Sequence, residues 1–392
     1  MLNALTIDIE DYFQVHAFSD VIKFDDWGNY ECRIERNTDR LLEILDEVRT
    51  QDSKLSTQNS QLNDSVRIPQ QVKPKHCSTE APKNNSELST QNSKDLSDSS
   101  LWAMRSTPCE SPKGTFFILG WIAERYPGLV RRIQKEGHEI ACHGYAHKLI
   151  YTQSKEEFRQ DIRKAKDILE NITGSRVIGY RAPSYSITNK SQWAFEVLIE
   201  EGFKYDSSIF PIHHDFYGIP NAPRFPFVIS FNGNDNFEFS MLNFELGTVA
   251  PQHSNTAAFS NSLTHPTMNQ CPDVSEPQHG STAAPNSIIE FPISTVKVFG
   301  QNVAISGGGY FRLFPYFLLK YGLKSINKKE NKPFIFYAHP WEFDPDQPRI
   351  KGAANLSKFR HYVNLNKTEF KFRNLLEDFQ FSTIRQLLIQ NS

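Results

Sequence analysis

The sequence predicts an α/β protein built on a mainly parallel sheet. Three observations carry that prediction. Short apolar, β-branched runs alternate with amphipathic helical stretches at the spacing of strand–helix–strand units. Four of the runs end in chemically capable polar groups, namely Asp8–Glu10–Asp11, His143–His147, Arg181 and His339. Parallel strands bring such ends together on one face. Two long polar stretches interrupt the alternation and leave it intact on either side.

Residues 3–9, NALTIDI, read as a buried strand. Asn37 is placed to cap a helix, TDRLLEILDEV, that fades near Val48. From 49 to 113 the composition turns to Ser, Gln, Asn, Lys and Pro, and LSTQNS occurs at 55–60 and again at 88–93. Such a composition buries too little apolar surface to offset ordering entropy, so 49–113 is predicted to be a disordered insertion. The core resumes at Gly114 with GTFFILGW, a second strand. A helix follows, broken near Pro127 and ended by Gly137. HEIACH is the third strand. Ser154 and Glu157 form a capping box for a helix that runs to Thr173 and is closed by Gly174. RVIGYRAPS is predicted as a strand, followed by a helix over 191–201 and a short strand at Lys204–Tyr205.

Residues 232–287 depart from the pattern again. PQHSNTAA at Pro251 has a near copy, PQHGSTAA, at Pro277. Degenerate repeats of this kind indicate a second, largely disordered insertion, with 237–248 its most ordered part. His253, His265 and His279 are poor ligand candidates for that reason. Globular character returns with IIEFPIST, QNVAISGGGYFRL and PFIFYAHPWEF, and ends with a helix, TEFKFRNLLEDF, and a short strand, FSTI. One catalytic domain is therefore expected from 1–48, 114–231 and 288–392. Gly307–Gly309 allow either close backbone approach to a ligand or a mobile turn. They match neither a P-loop nor a dinucleotide fingerprint.

A formal net charge of −2 argues against a general nucleic-acid-binding surface. Cys32, Cys77, Cys109, Cys142 and Cys271 are scattered without a CxxC pair, which fits a reducing compartment better than a disulfide framework. The N-terminal stretch lacks a basic segment followed by a long apolar one, and no run of about eighteen apolar residues follows. The expected location is the cytoplasm, or at most the periphery of the inner membrane.

His143 and His147, four apart on a turn after a strand, can face one cation through neutral imidazole nitrogens. A catalytic zinc usually takes a third protein ligand and keeps an open position for water. Strand alternation puts Asp8 and Glu10 on one face and Asp11 on the other, unless the chain turns sharply after Ile9. Either Glu10 or Asp11 would complete the set. Asp8, within an apolar strand, is costly to bury without a partner.

These residues resemble the polysaccharide deacetylase family, the NodB-homology carbohydrate esterases. Thr6-Ile7-Asp8-Ile9-Glu10-Asp11 resembles that family's Thr-Phe-Asp-Asp-Gly motif, with the adjacent aspartates opened to Asp-x-Glu-Asp. His143-Gly144-Tyr145-Ala146-His147 resembles His-[Ser/Thr]-x-x-His. Arg181-Ala182-Pro183-Ser184-Tyr185 resembles Arg-x-Pro-[Phe/Tyr], and Phe336-Tyr337-Ala338-His339 resembles the last motif. DIEDYFQVHAF, TFFILGWIAE, SGGGYFRL and YAHPWEFDPDQPRI are similar to a bacterial branch associated with exopolysaccharide and exosortase gene clusters.

The resemblance implies a NodB-type irregular (β/α) barrel, a distorted TIM-like fold of seven or eight strands. It implies Asp8 as base, Arg181 as the residue orienting it and His339 as acid. It also implies one divalent metal ion on His143, His147 and either Glu10 or Asp11. Zn²⁺ is the first candidate, with Co²⁺ or another divalent cation as alternatives. Tyr185 and the backbone after His147 would bind acetate or the oxyanion. Trp341 would stack on a sugar, shape the acetate pocket or simply fill the core. The implied activity is removal of N-acetyl groups from N-acetylhexosamine residues of a polysaccharide, with exopolysaccharide assembly machinery as a partner. Two other readings share the residues: hydrolysis of a small cyclic amide or ureide, as in allantoinase-like members, and a non-catalytic carbohydrate-binding or scaffold role.

Overall fold

The computed structural model describes residues 1–48, 111–214, 216–231, 237–242 and 286–390. The two expected insertions lie mostly outside the described residues. The chain divides into one unit of Met1–Glu43 with Pro112–Ser392 and a second of Ile44–Ser111. Of the second, residues 44–48 are the end of a helix. The fold below is that of the first unit.

Strand β1 (Leu2–Ile9) is buried along nearly its whole length, as its apolar sequence requires. Helix α1 (34–48) follows. Strand–helix units then succeed one another: β2 (Thr115–Ile118), α2 (Gly120–Arg125), α3 (Pro127–Lys135), β3 (Glu139–Cys142), α4 (Lys155–Thr173), β4 (Gly179–Tyr180), α5 (Trp193–Glu200) and β5 (Tyr205–Asp206). Next come β6 (Phe227–Phe231), β7 (Phe237–Met241), β8 (Ser287–Glu290), β9 (Thr295–Val298) and β10 (Gln301–Ala304). The chain continues with α6 (Gly308–Leu313), α7 (Tyr316–Lys329), β11 (Ile335–Ala338), α8 (Asn355–Tyr362), α9 (Thr368–Asp378), β12 (Gln380–Ser382) and α10 (Ile384–Gln390). Among the described residues no helix is long and apolar enough to cross a membrane.

The main sheet has the order β11-β1-β2-β3-β4-β5-β8-β6-β7. Pairing is parallel from β11 through β8 and antiparallel at β6 and β7. The start of β1 also pairs with β12. The predicted α/β class and parallel sheet are therefore what the chain adopts. Ala4, Phe117, Ala141, Tyr205, Ile335 and Tyr337 share one buried cluster. Strands far apart in the order can meet in this way only if the sheet curls around its inner face. Among the described residues the ladders do not close into a barrel. Side-chain and backbone bonds span the gap instead: Ile335 N donates to Ser294 Oγ at 2.8 Å, and Tyr337 N donates to Ser306 O at 2.9 Å.

Several local expectations need correction. Helix α1 begins at residue 34, so Asn37 lies within it and caps nothing; its side-chain amide donates instead to Asp344 Oδ2 at 3.4 Å. The strand expected over 176–184 is reduced to Gly179–Tyr180, because Pro183 lacks an N–H for the ladder and Ser184 and Tyr185 turn into left-handed conformations. Phe237–Met241, inside the second polar stretch, is an antiparallel strand on β6. Gly307 and Gly308 meet protein rather than a ligand: a Cβ on either would collide with Tyr337 of β11. Helix α7 was not expected, although Leu319, Gly322, Leu323 and Ile326 bury one helical stripe.

Candidate active site

Asp8 is the last inward-facing residue of β1. Its carboxylate Oδ1 accepts from Arg181 Nη1 at 2.7 Å, and both side chains are almost fully buried. Arg181 follows β4 and spends its other donors on Thr6 Oγ1, Ser207 O and Ser207 Oγ. Its guanidinium lies 4.2 Å from the Phe117 ring centroid. The arginine is thus fixed on every side, and it fixes Asp8.

Beyond Ile9 the chain turns tightly, with Glu10 N bonded to Asp8 O at 3.0 Å. Glu10 stays on the side of Asp8, and Asp11 points the other way. The Asp11 carboxylate accepts from the backbone N–H groups of Tyr12, Arg33 and Ile34 and from the Cys32 thiol. It therefore caps the N-terminus of α1. Burial pushes its pKa up to about 6 against those bonds. Of the two metal-ligand candidates on this strand end, only Glu10 faces the histidines.

Glu10, His143 and His147 present ligand atoms that all lie within 4.8 Å of one another. His143 Nδ1 donates to Arg181 O at 2.8 Å. A carbonyl can only accept, so Nε2 of the neutral ring is left with its lone pair. Burial holds His143 down at about 4, which keeps the ring neutral. Glu10 Oε2 is buried, and its one donor is His147 Nε2 at 2.7 Å. Burial opposes ionisation of Glu10, but His147, His339 and His143 together hold it at about 2. A bare imidazole nitrogen and an ionised carboxylate with no partner but a second imidazole, in one buried cluster, form a ligand set that fits a divalent cation.

Backbone supports shape this turn. Asp161 of α4 accepts from Tyr145 N at 2.7 Å and Ala146 N at 3.3 Å. Gly144 has φ +73°, and a Cβ there would press on Asp161 Oδ2. His147 itself adopts φ 52°. Both residues take the left-handed conformation, and Asp161 holds the turn in place.

His339, at the end of β11, has Nε2 3.5 Å from Glu10 Oε1 and 3.8 Å from Asp8 Oδ2. Its Nδ1 lies 3.3 Å from Glu342 Oε2, and Arg312 Nε donates to the other oxygen of Glu342 at 2.8 Å. Burial disfavours a charged His339, yet Glu342, Glu10 and Asp8 raise it to about 9. Three carboxylates thus surround the His339 imidazole and favour its charged form.

Trp341 and Tyr185 are placed differently from a sugar-binding pair. Trp341 stacks on His339 at 5.2 Å and on His361 at 4.1 Å, points Nε1 at Glu10 Oε1 at 3.5 Å, and is 5% exposed. Tyr185 packs among Tyr337, Phe210 and Tyr217 and is 7% exposed. Both rings form walls, and neither offers an open face. Sequence reading missed Glu342, Arg312 and Asp161. Glu342 carried a faint signal, an acidic residue three after His339 in a Pro-Trp-rich turn.

Residues 110–198 match the polysaccharide deacetylase family model, and 260–389 match a domain of unknown function, DUF3473. The first holds His143, His147, Arg181 and Tyr185; the second holds Arg312, His339, Trp341 and Glu342. The chain is 39% identical over 85 residues to a peptidoglycan-N-acetylglucosamine deacetylase of Bacillus cereus, covering 21% of this chain and 31% of that protein. It is 30% identical over 102 residues to a peptidoglycan deacetylase of Helicobacter pylori, covering 26% of this chain and 33% of that protein. The solved polysaccharide deacetylase Bc1974 of Bacillus cereus aligns over 25% of this chain and 48% of its own, at 27% identity and a TM-score of 0.23. The chain spans about a third of the length of these two curated relatives. The resemblance read from the motifs is borne out: residues 110–198 match the polysaccharide deacetylase family model.

Proposed function

We propose that this protein hydrolyses acetamido groups on N-acetylhexosamine residues of a polysaccharide, in the synthesis of an exopolysaccharide. The observation that carries the reading is the meeting, at the ends of β1, β3, β4 and β11, of a fixed carboxylate, a cation-type donor set and a histidine held among carboxylates. Glu10, His143 and His147 would hold one divalent ion, with Zn²⁺ the first candidate. When bound, such an ion supplies Lewis-acid polarisation of the acyl carbonyl.

The protein's own groups divide the remaining work. Asp8, held by Arg181, accepts a proton as water attacks the acetyl carbon. Arg181 is a positioning residue, because it is fully buried and acts through its bond to Asp8. The C–N bond then breaks, and His339 passes its proton to the departing amine, so that acetate and a free amino sugar leave. Glu342 keeps Nδ1 of His339 oriented and Nε2 turned toward the reacting centre. Trp341 and the His361 ring behind it exclude water from that side.

The test is acetate release from N-acetylglucosamine oligomers by the full chain. Asp8→Asn is expected to lower kcat by about 10²–10⁴-fold. Undiminished activity in Asp8→Asn, or in the His143→Ala/His147→Ala double variant, would sink the reading.

A further inference from the structure

Residues 348–362, PRIKGAANLSKFRHY, carry Arg349, Lys351, Lys358 and Arg360 and no carboxylate. The segment folds back on itself. The Tyr362 hydroxyl, at the end of α8, donates to Pro348 O at 3.0 Å and accepts from Ile350 N at 2.8 Å. The Arg349 guanidinium lies 4.1 Å from the Tyr362 ring centroid. Loop and helix line an open surface cavity of about 460 Å³, bordered by Arg349, Ile350, Lys351, Lys358, Phe359 and Tyr362. Among the described residues no ion pair engages any of its three cations. None of the lining residues belongs to the carboxylate–histidine cluster.

Unpaired cations converging on one concavity attract a carboxylate or phosphate. The volume is that of a small-molecule site and exceeds what a bare ion needs. Its aromatic members add apolar faces, and Phe359 is 57% exposed. The cavity is also tied to the candidate active site. The Tyr362 ring abuts His361 at 4.6 Å, His361 stacks on Trp341 at 4.1 Å, and Trp341 stacks on His339 at 5.2 Å.

We propose that this cavity binds an anionic sugar unit, a uronate or similar carboxylate-bearing residue, and so selects acidic polysaccharides. The proposal deepens the polysaccharide reading above and rests on it for the polymer, while its test reads binding alone. A tetrasaccharide fragment of hyaluronan, which alternates N-acetylglucosamine with glucuronate, is titrated calorimetrically into the full chain. N-acetylchitotetraose is the uncharged control of equal length. The hyaluronan fragment is expected to bind about tenfold more tightly, the worth of one charge-assisted hydrogen bond, with a preference that shrinks as salt rises. In Lys351→Gln/Lys358→Gln, surface changes checked by thermal unfolding, the two oligosaccharides are expected to bind alike. Lys358→Glu is expected to reverse the preference. Equal binding by the unmodified protein, or a preference that survives the double variant, overturns the proposal. Displacement of the hyaluronan fragment by inorganic phosphate at equal concentration overturns it in favour of a phosphate site. Absence of acetate release would overturn the chemistry proposed above and leave a measured charge preference in place.

Discussion

Glu10 and Asp11 are neighbours in sequence with opposite surroundings. Glu10 Oε2 has no donor but His147, whereas Asp11 is covered by backbone N–H groups and a thiol. Their substitutions should separate accordingly. Glu10→Gln is expected to lower the zinc retained per chain after dialysis, read by elemental analysis, with little change in unfolding temperature. Asp11→Asn is expected to retain zinc and lose about 1–2 kcal/mol of stability, the worth of a helix cap. His138 gives a second residue-scale prediction. Burial lowers its pKa from 6.5 to about 3, and its Nδ1 accepts from Gly114 N at 3.2 Å. A neutral folded form below an ordinary unfolded pKa contributes stability that is full above pH 6.5 and is lost as pH falls toward 3. His138→Asn keeps an acceptor but does not titrate there. Urea unfolding across that window should show the gap between wild type and variant narrowing as pH falls, and a constant gap would contradict the assignment. The motif residues themselves were legible because each sits at a strand end with its own local signature. Glu342, Arg312 and Asp161 were not, because their roles consist of partners 3 to 30 residues or more away that only folding supplies.

Local chemistry also decides which elements could be read. Helix α4 was read to its ends because Ser154, Glu157 and Gly174 are signals within one turn of each end, and Gly174 does adopt φ 63°. Strand β4 was read too long because a run of apolar residues says nothing about where the ladder stops; Pro183 and the left-handed Ser184 end it. Helix α7 was not expected, though its buried stripe has helical spacing. The glycine triplet before α6 shows the same limit from the other side. Glycine announced a close approach, but Tyr337 as the neighbour depends on the pairing of Gly307 with β11. Gly307→Ala, at φ 149°, is expected to cost about 1–3 kcal/mol through overpacking against Tyr337. Thermal unfolding checks this, and Gly309→Ala, which meets nothing closer than 3.9 Å, serves as control.

At the scale of the molecule, the candidate site draws on three stretches of chain: the first strand, the polysaccharide deacetylase segment and the DUF3473 segment. If Glu10, His143 and His147 hold a cation, its binding is linked to folding. Chelation should then lower the unfolding temperature of the full chain as well as acetate release, and zinc should restore both. An unfolding temperature indifferent to chelator would separate the cluster from any metal. The curl of the sheet was expected in kind. Its unclosed ladder was not, because closure depends on the Ser294 and Ser306 bonds to β11, which no periodicity announces.

Strand β1, which carries Asp8 and Glu10, is flanked by β11 on one edge and by β12 and then β2 along the other. Thr6 bonds to a carbonyl 330 residues along the chain. During synthesis at roughly 5–20 residues per second, that edge waits on the order of a minute for its partner. Until then an apolar strand, LNALTIDI, offers unpaired amides and carbonyls to any neighbouring chain. The arrangement that unites the groups of the candidate site thus also leaves the nascent protein's first strand in need of protection.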